Sequence, residues 1–86
     1  DWDSRAAHIF GERVREKRLL ARLSQEELAH RAGVSKNQVQ LIEAGRQSGR
    51  DMGRPSNPRM STLFGLSKAL SIPPADLLSD ERSFDE

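Results

Sequence analysis

Residues 24–45 read Ser24-Gln25-Glu26-Glu27-Leu28-Ala29-His30-Arg31-Ala32-Gly33-Val34-Ser35-Lys36-Asn37-Gln38-Val39-Gln40-Leu41-Ile42-Glu43-Ala44-Gly45, and this stretch decides the fold. It contains two helix starts and two helix stops. Ser24 with Glu27 is a capping box: the hydroxyl accepts from the Glu27 amide, and the carboxylate reaches back to the Ser24 amide. Leu23, just before the cap, is placed to staple onto Leu28. The helix so opened covers residues 25–32, buries Leu28, Ala29 and Ala32, and stops at Gly33, which can take the positive φ of a helix end. Ser35 with Gln38 repeats the box, Gln standing in for Glu, and opens a helix over residues 36–44 that Gly45 ends. Val39 and Ile42 face inward, Val34 plugs the turn, and Ala29 is small where the second helix crosses above it. Two capped helices of about two turns, joined by a short Gly-containing turn, make a two-helix corner.

Upstream, Phe10, Val14 and Lys17/Arg18 recur at helical spacing, and Leu20 and Leu23 extend the stripe. Residues 9–20 are therefore read as a first helix, with Glu12, Arg13, Arg15, Glu16 and Arg22 on its other face. Residues 1–8 are polar around an isolated Trp2, and read either as a loose arm or as the frayed start of that helix. Downstream, residues 46–59 carry two Gly, two Pro and four Arg without an apolar period, a long loop for a chain of this size. A fourth helix begins near Ser61, with Leu63, Phe64, Leu66, Ala69 and Leu70 as its apolar set. Ser71-Ile72-Pro73-Pro74 breaks it, and a short fifth helix over residues 74–78 returns Leu77 and Leu78 to the core. The expected division is an arm or helix start (1–8), one domain (9–78, with its loop at 46–59) and an acidic tail (79–86).

The 86 residues suffice for one domain, and 35% hydrophobic with 5% aromatic residues suits a small helical bundle better than a β-sandwich. The absence of cysteine excludes disulfides and thiolate metal sites. No apolar run has the length of a membrane span or the form of a signal peptide, so a cytoplasmic location without a membrane partner is expected. The chain starts at Asp1 and not Met, which suggests an excised or processed fragment. Its net charge of +1 hides an uneven spread: residues 5–68 carry 13 Lys/Arg against 6 Asp/Glu, whereas residues 69–86 carry five acids against Arg82. A basic body suits a polyanionic partner, although solvated helix faces would give the same count. Arg outnumbers Lys 11 to 3, which favours bidentate phosphate or guanine contacts.

The stretch SQEELAHRAGVSKNQVQLIEAG resembles the helix-turn-helix core of the lambda-repressor/Cro-like family, and a looser match runs from Phe10 to Leu78, about four-fifths of the chain. The resemblance implies an all-α fold, a compact five-helix lambda-repressor-like DNA-binding domain. Its second and third helices would form the DNA-binding unit, with the third lying in the major groove. It also implies a sequence-specific transcriptional regulator of duplex DNA, a homodimer on DNA, and a nucleoid association when bound. Carried over by position, Lys36, Asn37, Gln38, Gln40 and Leu41 would contact bases, with Asn37 suited to adenine and Lys36 to guanine. Gln25, Ser35, Arg46, Gln47 and Arg50 would contact the DNA backbone, and Arg18 with Glu43 would form a structural ion pair. Three departures stand out. Arg22 replaces the Gly or similar turn residue common before the second helix, which either strains the corner or adds a phosphate contact. Ala44 replaces a frequent Asn or Arg. The loop after Gly45 is about ten residues longer than usual; its Arg46, Arg50, Arg54 and Arg59 either follow DNA as a basic arm or form an insertion without a role.

Other chemistries find little support. His8 and His30 lack partners at metal-ligand spacing, and the serines are explained by capping, with no Ser/His/Asp constellation. No phosphate-cradling glycine motif appears, so no enzyme, metal or cofactor is expected, and no motif specifies a small-molecule effector. A protein-interaction module, such as an antitoxin subunit, is the competing reading. It calls for an exposed apolar patch, for which only Trp2, Met52 and Phe84 are left over by the expected core.

Overall fold

The computed structural model describes residues 3–46 and 58–78. Over these the chain forms five α-helices: α1 (Ser4–Leu20), α2 (Gln25–Ala32), α3 (Lys36–Ala44), α4 (Met60–Leu70) and α5 (Pro74–Leu78). None of them is long and apolar enough to cross a membrane. α3 packs on α1 and α2, α2 also packs on α4, and α5 closes the bundle against α1 and α4. The acidic tail 79–86 and loop residues 47–57, with Gln47, Arg50 and Arg54, lie outside the described residues.

The core gathers Phe10 and Val14 of α1, Leu28 and Ala29 of α2, Val39 and Ile42 of α3, Leu63, Leu66 and Leu70 of α4, Leu77 of α5, and Leu23 from the turn. Each large side chain among them contributes about 1.5–3 kcal/mol through removal from water. All but Leu23 come from the periodic positions of their helices.

α1 starts five residues before its large apolar side chains announce it. Asp3 caps it, its Oδ1 accepting from the Ala6 amide at 2.9 Å. Ala7, in the same turn, is completely buried. Of the two readings of residues 1–8, residues 4–8 are thus helix. Three expected core residues are exposed instead: Leu20 (72%), Phe64 (56%) and Leu78 (52%). Each is next to the inward face and not on it. Phe64 lies about 100° round α4 from buried Leu63, and Leu20 and Leu78 are the last residues of their helices, beyond buried Arg18 and Leu77. α4 also begins one residue early, at Met60, without a side-chain cap.

Four helix ends share one construction. After α1, α2, α3 and α4, a left-handed residue is followed by one whose amide reaches back to the carbonyl a turn and a half behind. The second bonds are Leu23 to Arg18 (3.1 Å), Val34 to Ala29 (3.0 Å), Arg46 to Leu41 (2.9 Å) and Ile72 to Ser67 (3.0 Å). These are Schellman motifs, which satisfy carbonyls the helix leaves over. Gly33 and Gly45 take the left-handed position as the sequence predicts, but Arg22 (φ 59°) and Ser71 (φ 57°) fill it in the other two. The corner before α2 does contain a residue in a conformation that suits glycine better.

α1 and α3 approach unusually closely. A Cβ on Gly11 would overlap the Ile42 carbonyl oxygen and sit 2.9 Å from that of Glu43, so no larger residue fits without moving backbone. Gly65 allows the same between α4 and the Ala32 carbonyl at the end of α2.

Candidate nucleic-acid interface

Both capping boxes form. Ser24 Oγ accepts from the Glu27 amide at 3.0 Å, while Glu27 Oε1 accepts from the Ser24 amide at 2.9 Å. Hydrogen bonding from the Ser24 backbone amide, and to a smaller extent from its side chain, holds the Glu27 carboxyl below its ordinary value. Ser35 Oγ accepts from the Gln38 amide at 3.1 Å, and Gln38 Oε1 accepts from the Ser35 amide at 2.9 Å. The start of α3 is thereby fixed at the surface.

Burial divides α3 into two faces. Val39 and Ile42 are buried, whereas Lys36, Asn37, Gln38 and Gln40 are exposed and Leu41 is half-buried. At about 100° per residue, Asn37, Gln40, Leu41 and Ala44 share the face opposite the core, with Lys36 at its edge. Lys36, Asn37 and Gln40 have no side-chain partner among the described residues, so their donors and acceptors remain open to a ligand. Gln38 differs. Its Oε1 accepts from the Ser35 amide, which holds the side chain against the cap and leaves its amide nitrogen and the second lone pair of that oxygen open.

Behind this face lies a polar cluster that ties three elements together. Glu43 accepts from Arg18 Nε at 2.7 Å and from Arg18 Nη2 at 3.0 Å, while Arg18 Nη1 donates to the Leu23 carbonyl at 2.9 Å. The two side chains are only 10% and 5% exposed. The hydrogen bond to Glu43 raises the Arg18 pKa against the opposing effect of burial. The ion pair expected between Arg18 and Glu43 is therefore present in bidentate form.

Gln25 joins the same cluster, its Nε2 donating to Glu43 Oε1 at 3.1 Å. Sequence reasoning missed this bond, because 18 residues separate the partners and only the folded corner brings the start of α2 to the end of α3. Ser35 and Arg46 are exposed at the two ends of α3, and Arg59 is exposed before α4.

A short helix fixed against the core, a second presenting an open polar face, and a left-handed glycine between them define a helix-turn-helix unit. The helix-turn-helix family model matches residues 14–48. The chain is similar to the transcriptional repressor RstR of the cryptic phage CTXphi from Vibrio cholerae, 35% identical over 79 residues that make up 91% of this chain and 63% of that protein. It thus spans less than two thirds of that relative's length. Among solved structures it is similar to the restriction-modification controller protein C.AhdI from Aeromonas hydrophila (32% identity, TM-score 0.70, 83% of this chain and 94% of that one). It is also similar to the biofilm regulator SinR of Bacillus subtilis in complex with DNA (30% identity, TM-score 0.69, 81% of this chain and 98% of that one). This chain belongs to the lambda-repressor/Cro-like helix-turn-helix family, and its fold is that family's DNA-binding domain.

Proposed function

We propose that the chain serves a transcriptional regulator as its sequence-specific reader of duplex DNA, with α3 in the major groove. The observation that carries this is the division of α3: Asn37, Gln40 and Leu41 stand opposite the buried Val39 and Ile42, and the polar groups among them have no partner among the described residues. Lys36, Asn37, Gln38, Gln40 and Leu41 make the base contacts, Asn37 pairing with adenine and Lys36 donating to guanine O6/N7. Gln38 contributes from the position that its cap bond fixes. Each good bidentate contact supplies about 1–3 kcal/mol of discrimination. Gln25, Ser35, Arg46, Gln47 and Arg50 contact phosphates and set the register.

In this reading the domain binds as a homodimer, two copies of α3 entering major grooves about one helical turn (~34 Å) apart. Support for self-association comes from large apolar side chains that the expected core did not leave over: Met60 and Phe64, one turn apart on α4, are 65% and 56% exposed, and Leu78 ends α5 in the open. The working location is the cytoplasm, at the nucleoid when DNA is bound.

Selection of bound duplexes from a random library at about 0.15 M salt tests this. An enriched inverted repeat is the expected result. A pool that stays random contradicts sequence-specific reading.

The same exposed apolar side chains, joined by Leu19 (54%) and Leu20, favour a protein partner as the second reading. Salt separates the two. Binding through several phosphates weakens about 10³-fold or more between 50 and 200 mM salt, and an apolar interface does not.

A further inference from the structure

Glu43 receives more than the ion pair needs. Its Oε1 accepts from Arg18 Nη2 and from Gln25 Nε2 at 3.0 and 3.1 Å, while Oε2 accepts from Arg18 Nε. We propose that Glu43 is a positioning residue for DNA binding: it locks the Gln25 carboxamide as a hydrogen-bond donor aimed at a backbone phosphate. This rests on the reading of Gln25 as a phosphate contact.

The argument is one of donors and acceptors. A free glutamine amide can turn either end outward, and its oxygen end repels a phosphate. An ionised carboxylate only accepts, so a carboxamide held against Glu43 must turn its nitrogen to it. The amide nitrogen carries two hydrogens, and Glu43 takes one. The other has no partner among the described residues, on a half-buried side chain at the first residue of α2. The flipped orientation would set two oxygens against each other.

Arg18 makes this arrangement compatible with DNA. A lone carboxylate behind the contact would repel the phosphate that Gln25 is to hold. With Arg18 bonded to both of its oxygens, Glu43 orients the amide while the cluster carries no net charge. Because Glu43 lies in the last turn of α3 and Gln25 opens α2, the lock also fixes the phosphate donor relative to the base-reading face.

The test uses the whole 86-residue chain and a fluorescein-labelled random-sequence duplex pool at low salt, with affinity expressed per folded molecule. Gln25→Ala is measured first and is expected to weaken binding about tenfold, as for loss of one hydrogen bond to a charged group. Native affinity in that variant would remove the phosphate-contact reading and this inference with it. Next, the double variant R18M/E43M takes away the acceptor of Gln25 while exchanging the buried ion pair for apolar chains of similar length, a change the fold can tolerate. It should show the same loss of about tenfold, with no further loss when Q25A is added. Native affinity in R18M/E43M, or an equal effect of Q25A in both backgrounds, would overturn the proposal while leaving Gln25 a phosphate contact. A measurement on the native chain needs no variant. The Gln25 side-chain amide proton that Glu43 accepts should exchange with solvent more slowly than those of the exposed Gln40, and equal rates would contradict the lock.

Discussion

The backbone of Gly11 in α1 lies directly against the carbonyl of Ile42 in α3, so closely that a Cβ would overlap its oxygen. The angle at which α3 faces outward is set by this contact as well as by the capped corner. Gly11→Ala should therefore cost about 3 kcal/mol or more, because the obstruction is backbone and cannot change rotamer. Chemical denaturation of the two proteins measures it. A cost within 0.5 kcal/mol, roughly that of a neutral surface change, would mean the helices separate freely.

Arg22 and Ser71 hold left-handed backbone in Schellman motifs that glycine closes elsewhere in the same chain. Ser71→Gly and Arg22→Gly should each stabilise the fold, by about 0.5–1 kcal/mol after the greater freedom of glycine in the unfolded chain is set against the relieved strain. Thermal melts of the single variants should show higher midpoints. Gly33→Ala, at φ 75°, should show a lower one.

Acid should weaken the start of α2. Hydrogen bonds from Ser24 depress the Glu27 carboxyl below 4.5, so its contribution is complete above that value and is lost as pH falls through the lower folded-state value. Glu27→Gln keeps an acceptor without the titration. The difference in stability between native and variant should narrow in acid and be constant above about pH 6, beyond the ordinary carboxylate range.

Removing one half of the Arg18–Glu43 pair leaves a charge stranded among groups only 5–10% exposed. Arg18→Met should destabilise by about 3 kcal/mol, and R18M/E43M should recover most of that. If the double variant were no better than the single, the cost would come from the hydrogen bond of Arg18 to the Leu23 carbonyl.

The parts of the fold legible in sequence were those written in local chemistry. The Ser24 and Ser35 boxes with Gly33 and Gly45 give α2 and α3 their observed ends, since each signal acts within four residues. The start of α1 was harder to see because Ala7, fully buried, is too small to mark an apolar stripe. Phe64 was misplaced because composition shows that a residue is apolar, not on which side of a neighbouring Leu the core lies. Gly11 and the Gln25–Glu43 bond depend on contacts between distant segments, and no local pattern encodes them. Of the interface, the polar residues of α3 were readable from helical spacing. The bond that holds Gln38 to Ser35 was readable as well, from its own capping box.

That α3 reads bases through its outward face is tested most directly by Asn37→Ala. Asn37 is exposed and has no partner among the described residues, so the substitution should leave stability unchanged. Random-library selection is run side by side on the native chain and the variant. The expected result is an otherwise unchanged site with preference relaxed at one base pair per half-site, at a cost of about 1–3 kcal/mol for that base. An identical site bound with identical affinity would contradict the assignment of α3 as the recognition helix.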